Sequence, residues 1–152
     1  MADNMLCSDF KDFGGNILAV PFSGTIKHGL KPGMKITIMG IIRKNADNVR
    51  VSLTCGSSST ADVALLLEAC FQAGTLSRSA MLAGSWSPSE LAIPYFPLTP
   101  EQPFRLDISC EHQRFKVVVD RQFICDFSHK VLSLSRVNTL KISGNLNITK
   151  IS

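Results

Sequence analysis

The sequence predicts an all-β fold, a sandwich or barrel built from about eleven short strands. Three observations carry that expectation. Apolar and polar residues alternate with a period of two in stretch after stretch. Turn-forming residues recur between those stretches. The recurring signal is alternation rather than the three-and-four spacing of an amphipathic helix.

Taken in chain order, residues 1–15 carry Asp3, Asp9, Lys11 and Asp12, have no long apolar run, and are expected to form a flexible arm. Residues 16–152 are expected to form one domain, long enough to bury a core. Residues 34–42, M-K-I-T-I-M-G-I-I, place Met34, Ile36 and Ile38 on one side and Lys35 and Thr37 on the other. Residues 48–54 set Val49, Val51 and Leu53 against Arg50, Ser52 and Thr54. The stretches 104–110, 114–120, 122–127, 138–144 and 145–151 alternate in the same way, each the mark of a half-buried strand. Lys31-Pro32-Gly33, Asn45-Ala46-Asp47-Asn48, Glu111-His112-Gln113, Asp120-Arg121-Gln122 and Gly144-Asn145 supply the turns between them. Pro94, Pro97, Pro100 and Pro103 argue against a central strand over 94–103. Lys130 to Val137 is expected to be a single helical turn.

Residues 62–71, D-V-A-L-L-L-E-A-C-F, carry Ala, Leu and Glu and would suit a helix by composition. Among so many strands they are read as one more. Val63, Leu65, Leu67, Ala69 and Phe71 then form the core face. Asp62, Ala64, Leu66, Glu68 and Cys70 form the outward face, which is oddly apolar for a surface in water.

Composition excludes several functions. The apolar fraction of 45% with 18% charged residues fits a globule rather than a disordered chain. The net charge of +4 comes from scattered Lys and Arg, so nucleic-acid binding is not expected. No apolar run approaches a membrane span, and the first residues lack the apolar core of a secretory signal. Five cysteines, an odd number without a C-x-x-C pair, suggest reduced thiols and a cytoplasmic (or nuclear) setting. His28, His112 and His129 have no partners at metal-ligand spacing, and Cys110 with His112 makes only two potential ligands. No nucleophile elbow, phosphate loop or dinucleotide fingerprint is present. Neither an enzyme nor a cofactor is expected. Binding is the better class, and Trp86, the lone Trp, in the polar stretch G-S-W-S-P-S-E, is a candidate stacking platform.

Several segments, in order, carry a family resemblance. They are G-L-K-P-G-M-K-I-T-I-M-G (29–40), N-A-D-N-V-R-V-S-L (45–53), D-V-A (62–64), Phe71, P-F-R-L-D-I (103–108), R-F-K-V-V-V-D (114–120), Phe127 with His129, and L-K-I-S-G-N-L (140–146). Over about residues 18–151 the chain resembles a galectin carbohydrate-recognition domain. The resemblance implies a galectin-type jelly-roll sandwich of two antiparallel sheets, whose concave sheet binds β-galactosides. In sugar-binding members His, Asn and Arg alternate along one strand as H-x-N-P-R and point to the concave face together. Aligned without gaps, those positions are Leu66, Glu68 and Cys70. The Asn of the next strand falls near Ala83. The family's Trp-x-x-Glu-x-Arg meets Trp86 if one residue is deleted, with Ser89 and Leu91 at the Glu and Arg positions; without that deletion the Trp position is Ser85.

A hydrogen bond to a charged or strongly polar partner contributes roughly 1.5–3 kcal/mol, and a millimolar complex has about 4 kcal/mol in all. Losing three such contacts removes more than a weak sugar complex possesses. The resemblance therefore implies the galectin fold with a degenerate site at Leu66, Glu68, Cys70, Ala83, Ser89 and Leu91, with Trp86 as the stacking residue retained. Lactose and other β-galactosides are not expected ligands. The expected partner is a protein of unknown identity, bound by a monomer or weak dimer through a face made apolar by Leu66, Cys70 and Met81. The alternative is a lectin of altered specificity that uses Glu68, Trp86 and nearby loops.

Overall fold

Every alternating stretch forms a strand in the computed structural model, which describes residues 18–152. The arm expected over 1–15 lies outside the described residues. In chain order the strands are β1 (Phe22–Thr25), β2 (Lys35–Ile42), β3 (Asn48–Thr54), β4 (Val63–Cys70), β5 (Thr75–Leu82) and β6 (Ser85–Trp86). They continue as β7 (Pro103–Cys110), β8 (Arg114–Val119), β9 (Gln122–Ser128), β10 (Thr139–Gly144) and β11 (Leu146–Ile151). The expected helical turn is a short 3-10 turn at Leu134–Arg136, and Val63–Cys70 of the ambiguous stretch form a strand, as their setting requires.

Two antiparallel sheets result. One is ordered β1-β10-β3-β4-β5-β6 and the other β11-β2-β7-β8-β9. Their inward faces meet in a single core. The six-stranded sheet contributes Val51, Leu53, Leu65, Leu67, Leu140 and Ile142; the five-stranded sheet contributes Ile36, Ile38, Ile108, Val117 and Phe127. The chain changes sheets between β10 and β11. There Gly144 adopts φ +109°, and a Cβ at that position would stand 2.4 Å from the Asn48 carbonyl oxygen. Asn145 ties the corner down: its Oδ1 accepts the backbone N–H groups of Asp47 at 3.0 Å and Asn48 at 3.1 Å.

Two features depart from simple alternation. Val63 pairs with Met81 and Leu66 with Ser79, so Ala64 and Leu65 together oppose a single residue of β5. This bulge turns Ala64 inward, where it is 1% exposed, and leaves Val63 half-buried. Ala64 is thus a core residue and not the outward one that strict alternation predicts. On the outward face of the five-stranded sheet, Thr37 and Asp107 are also buried; the Thr37 hydroxyl donates to Asp107 Oδ1 at 2.5 Å, and Arg105 Nε donates to the same carboxylate.

Candidate functional site

The register of β3, β4 and β5 determines which side chains share the outward face of the six-stranded sheet. Leu66 stands opposite Ser52 on one side and Ser79 on the other. Glu68 stands between Arg50 and Ser77, and Cys70 between Asn48 and Thr75. Beyond β5, Met81 pairs with Trp86 of β6. Directly opposed residues point the same way, so these side chains form rows across the sheet.

Within the rows lies an open groove of about 400 Å³, lined by Arg50, Leu66, Glu68, Ser79, Trp86, Ser87 and Ser89. Trp86 is 52% exposed and makes one wall. Arg50 Nε donates to Glu68 Oε2 at 2.7 Å across the β3–β4 ladder. Ser87 is spoken for by the fold: its hydroxyl accepts the Ala80 N–H at 2.9 Å and faces the Pro88 carbonyl. The groove offers a tryptophan face, an apolar floor at Leu66, serine hydroxyls, and a linked donor–acceptor pair. It holds no pair of groups poised as nucleophile and base.

Of the residues singled out from the sequence, Leu66, Glu68, Trp86 and Ser89 meet in this groove. Cys70 shares their face but stands one alternation beyond Glu68, half-buried and outside the lining. Ala83 lies in the turn between β5 and β6, at φ 50°, where its N–H donates to Asp62 Oδ1. Leu91 is 52% exposed in the loop after β6 and also lies outside the groove. Trp86 belongs to a two-residue strand and not to a free loop.

Arg50, Ser79 and Ser87 complete the lining and were not singled out from the sequence. Arg50 was accessible, since it occupies a polar position of the 48–54 alternation. Ser79 was hidden because its neighbour Arg78 faces the core, which inverts the expected polarity of β5.

The other candidate side chains lie outside the groove. His129 Nε2 contacts the Glu111 carbonyl at 2.7 Å while its ring packs edge-on against Phe115. Burial pushes the thiols of Cys110 and Cys125 up to about 11, with Arg78 partly opposing the shift at Cys125. Burial also raises Cys55. Among the described residues, no group of three or more His, Cys, Asp or Glu side chains is arranged to hold a metal ion.

Comparison with known proteins agrees with this architecture. The family model described as galactoside-binding lectin matches residues 21–152. Human Galectin-4 is 34% identical over 130 residues, covering 86% of this chain and 40% of its own length. Bovine Galectin-4 is likewise 34% identical over 130 residues, with 39% of its length covered. The chain thus spans about two fifths of the curated relatives it matches. Among solved structures, sheep Galectin-11 in complex with glycerol superposes with a TM-score of 0.81 at 20% identity, covering 89% of this chain and 98% of that one.

Proposed function

This chain belongs to the galactoside-binding lectin family, the galectins, and from that premise we propose that its sugar site is degenerate and that it acts by binding a protein. Members of the family are lectins and not enzymes. The observation that carries the reading is Leu66 on the floor of the groove, directly between Ser52 and Ser79, with its neighbour Glu68 tied to Arg50. An apolar side chain there leaves sugar hydroxyls desolvated without partners, which costs about 1–3 kcal/mol per group. In the proposed correspondence, Leu66, Glu68 and Ser89 line the groove where a β-galactoside would find polar partners, Cys70, Ala83 and Leu91 take the family's other polar positions outside it, and Trp86 keeps the stacking face.

The test is chromatography on immobilised lactose together with a lactose titration followed by the fluorescence of Trp86, the chain's one tryptophan. The protein is expected to flow through the column and to show no saturable change in emission. Retention released by free lactose would sink the proposal. A second reading, a lectin of altered specificity, draws support from the Arg50–Glu68 pair beside Trp86, since linked donors and acceptors next to an aromatic face also suit a polyol. A glycan array separates the two: one reproducible non-galactoside hit favours the second.

A further inference from the structure

Resting on the reading above, we propose that the groove takes an extended peptide segment of a partner protein. An apolar side chain of that segment lies between Leu66 and Trp86, and a neighbouring backbone amide spans the Arg50–Glu68 pair.

The chemistry of the pair comes first. Only Arg50 Nε and Glu68 Oε2 are used in their mutual bond; among the described residues no other hydrogen bond engages the Arg50 terminal nitrogens or Glu68 Oε1. The ion pair therefore presents donors and an acceptor side by side, held by one another across adjacent strands. A peptide unit carries the complementary set, a carbonyl for the guanidinium and an N–H for the carboxylate. Holding the two charges in register beforehand lowers the ordering cost at binding.

The rest of the groove selects against polyols. Leu66 and the exposed face of Trp86 reward an apolar or aromatic side chain with burial, roughly 25 cal/mol per Å². The same Leu66 penalises a hydroxyl laid over it. Dimensions also fit. The lining runs from Arg50 on β3 through Leu66 and Glu68 on β4 and Ser79 on β5 to Trp86 on β6, crossing the strands. Three inter-strand spacings make roughly 14 Å, the length of about four extended residues. Ser89 adds a hydroxyl that serves a further amide along that path.

The experiment is an array of synthetic peptides, each about ten residues long and varied at every position. It is probed with the purified chain, with Glu68→Gln, Arg50→Met and Trp86→Ala, and in the presence of free lactose. Circular dichroism melts establish that each variant folds. The expected result is a family of bound peptides sharing one apolar or aromatic anchor. Each substitution should weaken binding roughly tenfold or more, and lactose should have no effect. An array with no bound peptide would overturn the proposal, as would binding that folded variants leave unchanged. A specific glycan hit with no peptide hit would also overturn it, in favour of the altered lectin. If the protein is instead retained on lactose, the degenerate-site reading fails with it, so the two failures are told apart.

Discussion

At the scale of single residues, Arg78 is the least comfortable. It is 4% exposed on the inward face of β5; one terminal nitrogen donates to the Leu76 carbonyl at 3.2 Å, and Nε has no partner. A buried charge without a matching carboxylate is costly, so an apolar side chain of similar length in its place removes that cost. Arg78→Met is therefore expected to hold or raise the urea midpoint; a loss beyond about 2 kcal/mol would show that the guanidinium is stabilising where it stands. The buried thiols make a second prediction. Cys110 and Cys125 keep their protons to about pH 11 when folded, against an ordinary value of 9.0. The unfolded chain ionises first, so native stability holds below about pH 9 and falls as pH rises through 11, by up to ~2–3 kcal/mol per thiol. Urea titrations at pH 8 and pH 10.5 should show that drop, and Cys110→Ala or Cys125→Ala should flatten it.

At the scale of elements, the corner between β10 and β11 is tightly constrained. Gly144→Ala must hold a side chain at φ +109° and push a methyl into the Asn48 carbonyl. A loss of more than about 2 kcal/mol is expected in chemical denaturation; a loss under 0.5 kcal/mol, by the usual scale of neutral surface changes, would mean the corner yields easily. The elements also show what could be seen in the sequence. The long alternating strands were legible because each has one buried face, and β4 was legible from its neighbours despite a helix-like composition. Short β1 and β6 were not, since four and two residues are too few to establish a period. Ala64 was misplaced by the bulge, which no local residue announces. In the groove, alternation placed Leu66 and Glu68 on the outward face and the family resemblance marked them and Trp86 as site positions, whereas Ser79 was masked by Arg78 beside it.

At the scale of the molecule, the two sheets close over a small apolar cavity of about 30 Å³, lined among others by Val51, Leu67, Ala69, Leu106 and Val119. One added methylene suits that space, so Val51→Ile is expected to raise stability by at most ~0.8 kcal/mol. A thermal melt checks the sign, and a decrease would mean the cavity cannot take the group without strain. The cavity and the groove lie on opposite sides of one strand. Leu67 and Ala69 of β4 face the interior, while Leu66 and Glu68 face outward. If the groove binds as proposed, folding and recognition read different letters of the same eight-residue word, and such a strand can exchange one ligand for another while its lineage keeps the fold.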